Sequence, residues 1–388
     1  MRTTSVTALL VALLLGGATL VEAEWEAGVA AFKAQKYAEA EREFEEVVAK
    51  QPDWPGGHFM LGQVLLQQKK NKEALEHLKR AYELNPDDVS YQYALGQAYL
   101  QNGRYSESAQ MLRKVNPASL PKAQQANYQK LLAAALDRSG DSGGALAAWK
   151  RAAEANPNDS DSWYAYGTAA FNEGDTAAGV SALEKAVRLD AGDVAKQEAY
   201  AKVLIRYGRE RQPGAAKQDA YTKAVAAAQK VAAANGSYDN LLLVAEAQLG
   251  AKDYSGAVQT LNRAAARNGN DFLVHFYLSQ ALGSDKVKQY PQAENAARQA
   301  LAKAGKEADK RQAWSQIGYV NEKLKNYDDA ILAYRNAGDG GAVQRVEENK
   351  RISAENQRIE ADNEEIRRLE EERRKLEAEL KELPGGGS

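Results

Sequence analysis

Small and apolar residues return along this chain with a period of about 34 residues. The stretch Pro55–Asp88 shows the unit most plainly. Leu61 and Gly62 stand at its positions 7 and 8, Leu65 at 11, Ala74 at 20, Leu78 at 24, Ala81 at 27 and Pro86 at 32. Apolar spacings of three and four mark two short amphipathic helices. Small residues at positions 8 and 20 let the two helices cross closely, and large residues fill the seam beside the crossing. Asn85-Pro86 ends the second helix, because proline lacks the N–H and disfavours helix in the residue before it.

The unit recurs in register. Around Val21–Trp54 it carries Gly28, Tyr37, Ala40, Phe44 and Pro52. From Val89 it carries Leu95-Gly96, Tyr99, Tyr105 and Leu112, with Ser108 at position 20, and a short link, Pro117–Pro121, follows. Ala126–Asp159 has Leu132-Ala133, Ala145, Trp149, Ala152 and Pro157; Ser160–Asp193 has Trp163, Tyr166-Gly167, Leu183 and Ala186. The sixth unit opens with Tyr200-Ala201 and Leu204. An insertion around Tyr207–Lys217 then delays its second helix, placed at Asp219–Ala234. Tyr238–Asp271 is regular again, the eighth unit has a lengthened turn through Asp285, and Arg311–Gln344 closes the series with Trp314, Ile317-Gly318, Tyr327, Ala330 and Tyr334.

This pattern resembles the tetratricopeptide repeat (TPR) family, whose unit reads W-x2-L-G-x2-Y, then A-x3-F, then P. In Pro55–Asp88, His58 takes the Trp position, Leu65 the Tyr position and Leu78 the Phe position. The resemblance spans roughly Val21–Gly341. It implies an all-α fold, a right-handed α-solenoid of about nine helix-turn-helix repeats followed by a long C-terminal helix or coiled coil. Stability then comes from stacking each repeat on its neighbours. The expected divisions are a regular block over 24–193, a looser block over 194–341, a coil over 342–383 and a tail over 384–388. Such a fold alone does not name a function.

Past Gly341 the pattern changes. Residues 343–383 hold no Gly, Pro or aromatic residue. Asn349, Ile352, Asn356, Ile359, Asn363 and Ile366 are spaced 3,4,3,4,3; Leu369, Arg373, Leu376, Leu380 and Leu383 continue at 4,3,4,3. Two steps of three meet at Ile366, a stammer that locally overwinds a coiled coil. The expectation is a parallel homo-oligomeric coil in which Asn layers fix register. The competing reading is a solvated single helix, supported by pairs such as Arg367–Glu371 and Lys375–Glu379.

At the other end, Arg2 precedes a charge-free run, Val6–Val21, and then Val21-Glu22-Ala23. This reads as a secretory signal peptide over 1–23, cleaved after Ala23. The run falls short of the roughly 20 apolar residues of a spanning helix, so no membrane insertion is expected after cleavage. No cysteine follows it, which excludes a lipoprotein anchor. The mature chain is placed in the periplasm or outside the cell.

Composition narrows the chemistry. The net charge of −2 does not supply the basic surface that general nucleic-acid binding needs. With no cysteine there is no disulfide frame and no thiol nucleophile. Nucleotide-loop, zinc-protease and nucleophile-elbow motifs are missing. His58, His77 and His275 lie far apart in sequence; His58 and His275 read as packing residues and His77 as a surface residue. No catalytic residue, metal or cofactor is assigned, and the chain is read as non-enzymatic.

The resemblance also implies a binding face. In the family, positions 5, 9 and 13 of each first helix are among those lining the concave groove. Here position 5 holds Trp25, Phe59, Tyr93 and, in the fifth repeat, Tyr164; position 9 holds Gln63 and Gln97 and position 13 Gln67 and Gln101. Aromatic rings offer contact area at low entropic cost, and Gln offers both a donor and an acceptor to an extended backbone. The corresponding positions of the later repeats, such as Glu198 and Lys202, show no coherent stripe. The expected role is an envelope interaction scaffold that takes a peptide or protein in the groove and oligomerises or docks through its coil. The alternative is a structural subunit of a self-assembling surface array or filament.

Overall fold

The computed structural model describes residues 21–382. Most of the expected signal peptide, together with Leu383 and the tail over 384–388, lies outside the described residues. Among those described there are nineteen α-helices, one short 3-10 turn at Pro117–Ser119 and no strand. The helices pair as α1 (21–33) with α2 (Tyr37–Lys50), α3 (Pro55–Gln67) with α4 (Asn71–Leu84), and α5 (Val89–Gln101) with α6 (Tyr105–Lys114). They continue as α7 (Lys122–Ser139) with α8 (Ser142–Ala155), and α9 (Ser160–Asn172) with α10 (Thr176–Leu189). The sixth pair is α11 (Val194–Glu210) and α12 (Ala215–Ala234), the seventh α13 (Tyr238–Gly250) and α14 (Tyr254–Arg267). The last pairs are α15 (Phe272–Leu282) with α16 (Tyr290–Lys303) and α17 (Glu307–Lys323) with α18 (Tyr327–Ala337), followed by α19 (Gly340–Glu382). The expected nine helix pairs and the long final helix are therefore present, as a TPR α-solenoid. No helix among the described residues is long and apolar enough to cross a membrane.

The chain divides into two compact units within α11, one ending at Val203 and the other starting at Leu204. In the first, each helix from α2 to α9 packs on its successor. In the second, each helix from α12 to α18 does the same.

Close crossing within a pair follows from the small residue at position 8. A Cβ on Gly62 would stand 2.5 Å from Leu78 Cγ, and one on Gly96 2.7 Å from Leu112 Cγ. Leu78 and Leu112, at position 24, are fully buried by this approach. Ser108 replaces the usual alanine at position 20 without leaving an unpaired group. Its buried hydroxyl donates to the Gly96 carbonyl at 2.7 Å. Ser279 mirrors this from position 8, donating to the Ala293 carbonyl at 2.7 Å.

The turn inside most repeats needs one left-handed residue. Gly103, Gly140 and Gly174 supply it in repeats three to five. Gln35, Lys69, Lys252, Lys288 and Lys325 supply it elsewhere with φ of 56° to 62°. A residue with a Cβ is strained there, by about 1–2 kcal/mol. Several helices start on an aspartate whose carboxylate accepts from the first free N–H groups: Asp88 before α5, Asp141 before α8, Asp175 before α10 and Asp253 before α14.

Two local expectations change. The insertion around Tyr207–Lys217 is largely helical, because α11 runs on to Glu210 and α12 begins at Ala215. Gly208 lets the Tyr221 ring pack against the lengthened α11, so helix continues where a loop would leave that ring bare. The C-terminal segment does not leave the array at once. Ala342 and Val346 are buried against Ala330, Ile331 and Tyr334 of α18. The start of α19 thus covers the last repeat.

Candidate functional site

The position-5 aromatics do not form one open stripe. Trp25 lies 4.5 Å from the Trp54 ring and 5.4 Å from Phe44, centroid to centroid. Phe59 meets Tyr91 of the next repeat at 5.0 Å. Tyr93 is 5 % exposed, and its hydroxyl accepts from Asn127 Nδ2 at 3.1 Å. Burial raises the Tyr93 pKa. The reason is geometric. Position 5 sits over the seam to the following repeat, so a large ring there is covered by that neighbour. The amides at positions 9 and 13 project further out. Gln63 and Gln97 are half-buried, Gln67 and Gln101 are exposed, and none of the four makes a side-chain hydrogen bond among the described residues.

The fifth repeat behaves differently. Tyr164, Thr168 and Asn172 from α9 face Glu198 and Lys202 from α11 across a pocket of about 290 Å³. These five residues are positions 5, 9 and 13 of one repeat and 5 and 9 of the next. The Lys202 ammonium pairs with Glu198 at 2.5 Å, so one wall carries both charges. The signal was in the sequence, but only if the two repeats are superposed in register.

A second pocket, of about 480 Å³, opens where the lengthened turn of the eighth repeat bends away. Tyr254, Gln280, Asp285, Lys286 and Tyr319 border it. Lys323 bonds Asp285 at 2.8 Å and holds its carboxyl below the ordinary range. Nothing in the repeat pattern announces this pocket, because inserted residues create it.

Two polar clusters were invisible in the linear sequence. His58 and His77 meet, Nδ1 to Nδ1, at 3.0 Å, and His58 Nε2 bonds the Pro52 carbonyl at 2.9 Å. His77 is therefore half-buried rather than a surface residue, and burial with the neighbouring His58 lowers its pKa. With Nε2–H donating to Pro52, His58 Nδ1 is free to accept from His77 in the neutral pair. No third His, Cys, Asp or Glu joins to make a metal-binding group among the described residues. The second cluster centres on Lys196, whose side chain is 5 % exposed and reaches Asp161, Asp190 and Asp193 at 2.9, 3.1 and 2.9 Å. Burial disfavours its charge, but the three carboxylates outweigh that and raise its pKa. Lys196 thus locks α11 to the fifth repeat beside the Tyr164 pocket.

The expected coil residues divide into two groups. Asn349 is taken up within the chain, donating to Glu322 on α17 at 3.2 Å. Beyond Ser353 every described side chain of α19 is exposed. Ile352, Ile359, Ile366, Leu369, Leu376 and Leu380 stand 45–66 % exposed. Asn356 and Asn363 lie between them on the same face. The depression over Glu365, Leu369, Glu372 and Lys375 is walled by this one helix and encloses nothing.

Comparison with known proteins agrees with the geometry. The tetratricopeptide repeat profile matches residues 25–89, 59–121, 130–194 and 285–341, together more than half of the chain. It passes over 195–284, where α11 and α12 are lengthened. No curated protein matches. Among solved structures, YrrB, described as a TPR protein with an unusual peptide-binding site, is 20 % identical over 47 % of this chain and 91 % of its own, with a TM-score of 0.41. The APC/C hetero-tetramer Cut9-Hcn1 is 13 % identical over 87 % of this chain and 93 % of its own, with a TM-score of 0.41. MamA of AMB-1 is 24 % identical over 44 % of this chain and 99 % of its own, again at 0.41. With nine helix pairs in register and the profile covering most repeats, the chain belongs to the tetratricopeptide repeat family.

Proposed function

We propose that the chain is a non-enzymatic interaction scaffold of the bacterial envelope. It takes an extended peptide or protein segment along the first helices of its repeats, and α19 supplies a second attachment, to another copy of the chain or to a helical partner. One observation carries the groove reading: Gln63, Gln67, Gln97 and Gln101 recur at fixed positions, reach the surface and make no side-chain hydrogen bond among the described residues. Amides so placed can bond the backbone of a strand-like ligand, and the half-buried edges of Trp25 and Phe59 border them. The Tyr164 pocket continues the same positions to repeat six. Export rests on the charge-free run before Ala23 and on the Val21-Glu22-Ala23 cleavage pattern. In a Gram-negative cell this leads to the periplasm or beyond.

Replacing the aromatics is a poor test, because Tyr93 is part of the core. A photo-crosslinking residue at Gln67 and at Gln101 is better, with exposed Glu45 on α2 as the control. The same partner band from both groove positions, and not from the control, is expected. Identical labelling from all three, or none from the groove, refutes groove binding. Concentration-dependent polymers without any partner favour a self-assembling array instead. N-terminal sequencing of the exported protein should begin at Glu24.

A further inference from the structure

The seam of α19 is apolar, solvated and bordered by acid. In the heptad frame set by Ile352, Asn356, Ile359 and Asn363, the flanking positions include Glu355, Glu360 and Asp362. After the stammer the frame runs through Ile366, Leu369, Arg373, Leu376 and Leu380, and its flanks are Glu365, Glu370, Glu372, Glu377 and Glu379. Arg367 is the one basic flank, and the other basic residues of this stretch, such as Arg358, Arg374 and Lys375, sit on the outer face.

In a coiled coil these flanks decide which helices pair. A parallel second copy would set Glu355 against Glu360, Glu365 against Glu370 and Glu372 against Glu377, each contact occurring twice. Only Asp362 against Arg367 would attract. An antiparallel copy would again bring acidic flank to acidic flank. Arg373 gives no relief, since it stands within the seam and pairs with Glu377 of its own helix at 3.4 Å. Like charges so juxtaposed act against a wrong partner. Yet six large apolar side chains remain uncovered along this face, an arrangement that marks an interaction surface.

We infer that α19 docks a helix of another protein whose 3,4-spaced apolar seam is flanked by Lys or Arg, rather than a second copy of this chain. The inference rests on the scaffold reading and chooses between its two forms of attachment. Asn356 and Asn363 set the register of that partner, which meets them with polar residues.

Two synthetic helices of about 30 residues test this against the full mature chain. Both carry an Ile/Leu seam with two Asn layers; one has Lys at every flanking position and the other has Glu. Fluorescence anisotropy should show the Lys helix binding at least tenfold more tightly, with the gap closing in 1 M salt as screening shortens the reach of charge. Sedimentation velocity at micromolar concentration should show a monomer. The double substitution Glu370→Lys with Glu377→Lys turns two repulsive pairs attractive and should produce a dimer. A wild-type oligomer, equal affinity for the two helices, or binding of neither overturns the inference. Ile359→Gln should abolish Lys-helix binding while leaving crosslinking from Gln67 unchanged, so failure of the coil and failure of the groove are separable.

Discussion

The repeat array and the outer half of α19 both space apolar residues three and four apart, yet one is buried and the other is bare. In the array each large residue faces a small one on its paired helix. Leu78 fills the space that Gly62 leaves, and Leu112 the space that Gly96 leaves. In α19 the seam alternates Ile with Asn over 349–366, holds no small residue for close approach, and meets no other helix after Ser353 among the described residues. Apolar spacing therefore specifies that a face wants covering. Small-to-large complementarity specifies that the chain covers it by itself.

The sharpest way to break this comparison is to fill the crossing. Gly62→Val would push two methyls into Leu78 and should cost about 3 kcal/mol. Ala361→Val on exposed α19 should cost about 0.5 kcal/mol, the difference in helix propensity. Urea midpoints of the two variants measure both, and similar losses would mean that the outer half of α19 is packed after all.

Lys196 offers a polar version. Lys196→Met leaves three carboxylates around an apolar side chain and should destabilise the first unit by about 2–3 kcal/mol. Asp161→Asn, at the exposed end of the cluster, should cost under about 1 kcal/mol. Equal effects would show that the cluster is solvated. Ion pairs along α19, such as Arg373–Glu377, should contribute at most a few tenths each.

The histidine pair gives the array a pH signature. A lowered His77 pKa means that protonation favours the unfolded chain. Its contribution is whole above the ordinary value of 6.5 and is lost as pH falls through the lowered folded value. The melting temperature should drop between pH 7 and pH 5, and His77→Gln should flatten that part of the profile. The hydrogen bond lost in that variant amounts to about 1 kcal/mol at neutral pH. An unchanged profile would remove the pair from the titration.

The smallest effect concerns the turns. Lys69→Gly and Lys325→Gly relieve left-handed strain but free the unfolded chain, so each should stabilise by about 0.5 kcal/mol. Loss of stability instead would show that the lysine stems pack usefully across the turn.

Much of the fold was legible before any coordinates. Position 8 and position 24 recur so regularly that about nine pairs and their order follow from the 34-residue period, and the final helix follows from the 3,4 spacing past Gly341. The candidate groove was legible only as a set of positions. Periodicity places Phe59, Tyr93 and Gln67 on one helix face, but it does not say how far the neighbouring repeat reaches over each of them. Tyr93 is closed off by Asn127 and α7, while Gln67 stays open. The helical insertion at Tyr207 was hidden for a related reason. Pro213-Gly214 does mark the break between α11 and α12, but the packing of Tyr221 against Gly208 keeps its flanks helical.

By itself, the sequence determined the repeat length, the pairing of helices within each unit and the acidic flanks of the last helix, because these depend on spacing along one chain. Only the tertiary structure decided that His58 reaches His77, that Lys196 gathers three aspartates, that Asn349 is taken up by Glu322 and that Tyr164 shares a pocket with Glu198. Except for Asp193, three residues before Lys196, these partners lie on separate elements, and their meeting depends on how helices turn onto one another within and between repeats, a quantity set by the sum of many packing contacts.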